Sequence, residues 1–106
     1  MVDEKNIMDR VCVQKYAYLI DLFLSNEITA SVFDLCFIRI RRNDEYWLSG
    51  ELDRRFSKIL DTIFLDVDEY APNELYDPNN KFNIDEVELK KRLEKHLIGL
   101  KTILGM

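Results

Sequence analysis

The sequence predicts an all-α protein, a compact antiparallel four-helix bundle formed as a single domain by residues 1–106. Three observations carry this. Apolar residues recur at helical spacing in four stretches. Capping or turn residues separate those stretches. The chain has only three glycines, with no internal repeat or low-complexity tract. A length of 106 residues is close to the commonest domain size. With 47% apolar and 11% aromatic residues, there is enough material for a packed core, which argues against disorder.

The first helix is expected from Ile7 to Leu24, with apolar residues at 8, 12, 16, 19, 20, 23 and 24. Asp9, Arg10, Gln14, Lys15 and Asp21 fall mostly on the opposite face. Ser25-Asn26-Glu27 ends it. Thr29 offers an N-cap hydroxyl to a second helix, with Ile28 and Phe33 placed as a hydrophobic staple. That helix carries Val32, Phe33, Cys36, Phe37 and Ile40 and finishes in Arg39, Arg41 and Arg42, where cations suit the negative end of the dipole. Asn43 to Ser49 reads as a loop or short turn holding Tyr46 and Trp47. Ser49 is a suitable cap for a third helix striped by Leu52, Phe56, Ile59, Leu60, Ile63, Phe64 and Val67. Pro72 disfavours helix at Ala71, so this helix ends near Tyr70. Pro78-Asn79-Asn80 marks a turn. Asp85 and Glu88 form a capping pattern for a fourth helix through Leu89, Leu93, Leu97, Leu100, Ile103 and Leu104.

Charge is distributed unevenly. The net charge is −5, and ten acids against six bases in residues 61–106 supply most of it. From Ile59 to Asn80 there are six acids (Asp61, Asp66, Asp68, Glu69, Glu74, Asp77) and no lysine or arginine. Phe64, Tyr70, Pro72, Tyr76 and Pro78 are set among them. Ordinary surfaces mix the signs. Held on a helical scaffold, a run of one sign is a docking surface for something positively charged. A negative surface is poorly suited to nucleic acid, whose phosphates are bound by Lys and Arg.

Catalytic and metal-binding patterns are missing. Cys12 and Cys36 lie in apolar helical stretches without a CxxC and read as reduced core thiols; with His96 they are too few for a structural zinc site. His96 reads as a surface or partly buried residue on the last helix. The glycines at 50, 99 and 105 are isolated, so there is no phosphate-binding loop. Asp66, Asp68 and Asp77 fall at positions 1, 3 and 12 of a calcium loop, but Tyr70 and Ala71 occupy the positions that need an oxygen ligand and a glycine. Carboxylate pairs such as Asp61 and Asp68 share a helix face, in a stretch that looks exposed and so lacks the burial that tunes an acid for catalysis. Arg39, Arg41 and Arg42 with Tyr46 and Trp47 suggest an RNA contact, against which Asp44 and Glu45 read as local neutralisation. No enzyme, cofactor or metal is therefore expected. Met-Val-Asp-Glu-Lys-Asn is not the start of a signal peptide, and no apolar run approaches the ~20 residues needed to span a bilayer, which predicts a soluble, cytoplasmic protein.

Several segments together resemble a known family. Leu19-Ile-Asp-Leu-Phe-Leu-Ser-Asn-Glu-Ile-Thr-Ala-Ser-Val-Phe33, followed by Ile38-Arg-Ile-Arg-Arg42, is similar to the start of the colicin D immunity protein family. Ile63-Phe-Leu-Asp-Val-Asp-Glu-Tyr-Ala-Pro72 matches that family's Phe-Met-x-x-x-x-aromatic-x-Pro run, and Ile84 to Leu97 its last capped helix. The order and spacing of these motifs carry the resemblance more than any one of them.

The resemblance implies an antitoxin made beside a bacterial toxin, either a colicin or the C-terminal toxin of a contact-dependent inhibition system. It implies a toxin that cuts tRNA in the anticodon loop and an immunity protein that covers its basic active-site cleft. The implied toxin-binding residues are Asp61, Asp66, Asp68 and Glu69, with Glu74 and Asp77 in the following loop and Tyr70 and Tyr76 as aromatic anchors. The family's acids before and after the proline are replaced here by Ala71 and Asn73. The other reading of the same acids is an acidic helical adaptor or regulatory subunit that binds a different basic protein.

Overall fold

The computed structural model describes residues 4–71, 79 and 83–105. Those residues form five helices: α1 (Glu4–Leu24), α2 (Ala30–Arg42), α3 (Glu45–Leu48), α4 (Arg54–Glu69) and α5 (Glu86–Leu104). The all-helical class holds. The four long helices stand where the apolar periodicity places them, and α3 is a single helical turn within the stretch read as a loop or short turn. α5 packs against both α1 and α4, and α2 packs against α1 and α3.

The ends of the helices follow local chemistry. The Thr29 hydroxyl accepts the Val32 amide 3.2 Å away, and the Asp85 carboxylate accepts the Glu88 amide at 2.8 Å. Both are N-caps of the expected kind, each worth about 1 kcal/mol. α1 ends at Leu24, and Asn26 in the turn beyond it adopts a left-handed conformation with φ 64°. The start of α4 differs from expectation. Ser49 closes α3, Gly50 turns the chain at φ 87°, and Asp53 caps α4 by accepting the Arg55 amide at 2.8 Å. Leu52 is buried although it precedes the helix.

An aromatic column joins α1 to α2. Phe23 stacks on Phe33 with centroids 4.9 Å apart, Phe33 lies 5.9 Å from Phe37, and Tyr16 meets Trp47 edge-on at 5.4 Å. α4 adds Phe56, Leu60, Ile63 and Val67 to the core, and α5 adds Leu89, Leu93, Leu97, Leu100 and Leu104. Each large side chain buried here contributes about 1.5–3 kcal/mol of transfer free energy.

Among the described residues three aspartates are buried, and each joins elements. Asp44 accepts the Tyr16 hydroxyl at 2.6 Å and the Trp47 amide at 3.1 Å, and pairs with Lys15 at 3.0 Å. Burial pushes its carboxyl pKa up, but the bonds from Tyr16, Lys15, Trp47 and Cys12 prevail and hold it below the ordinary value. Asp9, expected on the outer face of α1, is turned inward. It accepts the Tyr46 hydroxyl at 2.6 Å and the Asp53 amide at 3.2 Å, which ties α1 to α3 and to the start of α4. Asp66 is the third, and it bears on the functional surface.

Candidate functional site

α4 positions the acidic stretch. Its buried stripe of Phe56, Leu60, Ile63 and Val67 fixes the helix roll, so residues 61, 65 and 68 are turned to solvent. Asp61, Leu65 and Asp68 are all exposed; Leu65, at 58%, is a large apolar side chain displayed between two carboxylates. The spacings of four and seven residues set the three along one helix face. Asp61 also accepts the Trp47 indole N–H at 3.2 Å, which holds one of its oxygens toward α3.

Asp66 behaves differently from the exposed acid expected of this stretch. It is only 7% exposed and points toward α5. Its Oδ1 receives Arg92 Nη1 at 2.9 Å, and its Oδ2 lies 2.8 Å from His96 Nε2. The same Arg92 nitrogen reaches Glu69 Oε2 at 3.1 Å, while Arg92 Nε bonds Glu88 at 3.1 Å. Burial opposes the charge on Arg92, but bonds to Asp66, Glu88 and Glu69 outweigh it and raise the guanidinium's pKa. Asp66 is therefore engaged in clamping α4 to α5, and Glu69 shares its charge with Arg92. Its partners lie 26 and 30 residues away in sequence, so nothing local signals the inward turn.

Tyr70 caps the C-terminus of α4 and is half-buried. Burial raises its phenol pKa, and nearby Glu86 and Asp34 add to this. Ala71 N–H donates to Ile84 O at 3.0 Å, and Ile84 N–H donates to Glu69 O at 3.0 Å. These two bonds join the chain on either side of the second half of the acidic stretch. Glu74, Tyr76 and Asp77 lie outside the described residues, as do Pro78 and Asn80 of the expected turn.

Asp34 on α2 belongs to this surface and is not singled out by the sequence. Its carboxyl pKa is raised, first by burial and then by the charge of Asp68 across the α2–α4 junction. A lone acid on a mixed helix carries no signal until packing brings it beside another helix. Asp34 and Asp68 thus lie close enough to repel, Asp61 shares the α4 face with Asp68, and Arg41 and Arg42 line the groove that Asp68 borders. Repulsion between the two carboxylates is a cost that a nearby cation relieves.

The arginine end of α2 also differs from expectation. Asp44 is spent on Lys15 and Tyr16, and Arg39, Arg41 and Arg42 form no ion pair among the described residues. Arg41 instead stacks its guanidinium 3.8 Å from the Phe64 ring centroid and 5.0 Å from that of Trp47. Among the described residues no group of three or more His, Cys, Asp or Glu side chains is placed to hold a metal ion. No helix there is long and apolar enough to cross a membrane.

The model of a family described as "Bacterial self-protective colicin-like immunity" matches residues 11–100. No curated protein and no solved structure matches the chain. The match begins in the first turns of α1 and ends within α5, so it takes in the acidic patch, the arginine end and the clamp between α4 and α5. The chain belongs to the bacterial self-protective colicin-like immunity family, and its role is that of a toxin-neutralising immunity protein.

Proposed function

We propose that the toxin is a tRNA-cleaving nuclease and that this chain, acting in the cytoplasm as a single antiparallel four-helix domain, blocks its basic active-site cleft. The inhibitor performs no catalysis. Its carboxylates occupy the positions that phosphates of the RNA would take, and its bulk excludes the substrate. A nuclease that grips tRNA must present Lys and Arg, so an acidic inhibitor and the substrate compete for one surface. Complementary fields also speed encounter, to on the order of 10⁸ M⁻¹s⁻¹ or more at low salt.

The observation that carries this reading is the outward stripe Asp61, Leu65 and Asp68, with Asp34 beside it, in a stretch free of lysine and arginine from Ile59 to Asn80. The acids supply steering, and the exposed Leu65 supplies an apolar contact at the centre of the patch. Glu69, Tyr70, Glu74, Tyr76 and Asp77 extend the proposed surface. Asp66 contributes by holding α4 in place.

The test is a double reversal, Asp61→Lys with Asp68→Lys, assayed against the toxin domain encoded beside this chain's gene. We expect association to slow by about tenfold or more at low salt, a shallower salt dependence, and loss of protection in a tRNA-cleavage assay. Unchanged association by a folded double variant overturns the acidic-docking reading. A captured toxin domain that leaves tRNA intact overturns the nuclease assignment.

A further inference from the structure

An open groove of about 340 Å³ runs between α2 and α4, lined by Ile38, Arg41, Arg42, Leu48, Phe64 and Asp68. Its chemistry is mixed: Asp68 belongs to the acidic face as well, and the other lining residues are apolar or cationic. Ile38 and Phe64 are half-buried and give an apolar floor, while Leu48 stands 52% exposed on the rim. Arg41 is held flat by Phe64 and Trp47, yet its Nε is buried with no hydrogen-bond partner. Arg42 is exposed and forms no ion pair among the described residues. Two arginines that form no ion pair among the described residues, in a groove where Asp68 is the one acid lining it, leave a net positive charge that an incoming anion can meet.

We infer that this groove is a second docking element for the toxin, and that it receives a toxin segment bearing an apolar side chain next to a carboxylate. The inference rests on the toxin-inhibitor reading above. The apolar side chain enters between Ile38, Leu48 and Phe64, and the carboxylate meets Arg41 and Arg42. Arg41 is suited to this because stacking fixes its plane before binding, so less freedom is lost when a planar carboxylate arrives. The interface is then bipolar. Toxin cations meet Asp34, Asp61 and Asp68, and a toxin anion meets Arg41 and Arg42 in the groove that Asp68 borders. A nuclease with only basic residues at this position faces Arg41 and Arg42 and is rejected, so the groove discriminates among toxins that the acids alone would accept. A phosphate backbone is the less suitable occupant, because Asp68 stands on the same rim and Asp34 lies beside it.

The experiment measures binding kinetics of the same toxin domain with Arg42→Ala and Leu48→Asp, two substitutions at exposed positions, with circular dichroism to verify folding. We expect each to speed dissociation by about tenfold while association stays within about twofold, the reverse of the pattern expected for the Asp61 and Asp68 reversals. Unchanged dissociation in both folded variants overturns the proposal. So does Arg42-dependent binding of a fluorescent single-stranded RNA with toxin kinetics unaltered. If the acid reversals fail to slow association while Arg42→Ala still speeds release, the groove stands and the acidic-patch reading falls. The opposite result leaves the acids and removes the groove.

Discussion

One nitrogen of Arg92, Nη1, lies 2.9 Å from Asp66 and 3.1 Å from Glu69, so a single guanidinium on α5 holds two carboxylates three residues apart on α4. Asp66→Ala leaves Arg92 and His96 facing a site without its anion. We expect a loss of about 1–3 kcal/mol, seen as a lower midpoint of thermal unfolding. Asp68→Ala, at an exposed position that forms no ion pair among the described residues, is expected to stay within about 0.5 kcal/mol of the parent. Measured side by side, the two separate the acid that builds the scaffold from the acid that meets the partner. Equal midpoints for both variants overturn the clamp.

The Asp44 hub carries a pH signature. Its folded pKa is depressed, so its contribution is fully present above the unfolded value and is lost as pH falls through the folded one. The protein should therefore lose this part of its stability only below the ordinary carboxylate pKa of 3.8. Asp44→Asn is expected to lower the unfolding free energy at neutral pH by about 2–4 kcal/mol and to flatten the acid limb of a denaturation series.

Binding should be linked to protons through Asp34. Its pKa is raised by burial and by Asp68, and an incoming Lys or Arg lowers it again. Complex formation in mildly acidic buffer is thus expected to release protons, and affinity to rise with pH through the carboxylate range. Calorimetry in buffers of different ionisation heat measures the release. Asp34→Asn should reduce it.

The two thiols should differ in reactivity. Cys12 is 4% exposed, and burial together with Asp44 pushes its pKa up to about 12. Cys36 is half-buried on α2. A thiol reagent at pH 8 is expected to modify Cys36 in the native protein and Cys12 only after unfolding. Peptide mapping after a timed pulse distinguishes the two.

The sequence is most legible where the signal is local. Thr29 and Asp85 each sit three residues before the amide that they cap, and the apolar stripes of α4 and α5 turn inward as their spacing requires. The sequence reading misplaces the start of α4 at Ser49; the glycine turn at Gly50 and the bond from the Asp53 amide to Asp9 put the cap at Asp53 instead. Long-range charge pairing is where sequence reading fails. Asp9, Asp44 and Asp66 look like solvated acids in their own segments, and each is buried by partners on other helices. The same limit hid Asp34 and led to the expectation that Asp44 and Glu45 would neutralise the arginines. The eight acidic and aromatic positions marked as toxin-binding therefore separate. Asp61 and Asp68 face outward, Glu69 and Tyr70 are half-buried, Asp66 is internal, and Glu74, Tyr76 and Asp77 lie outside the described residues.

The paired bonds between Ala71 and Ile84 and between Ile84 and Glu69 act as a collar around the stretch between them. Whatever sequence fills the collar, the helices on either side are already locked by Arg92. Changing the length of such an insert costs only about 0.6 kcal/mol per doubling. The scaffold is thereby insulated from changes in the length of that stretch. Substitutions within residues 72–82 are therefore expected to leave the thermal midpoint of the helical core nearly unchanged, whatever they do to toxin binding.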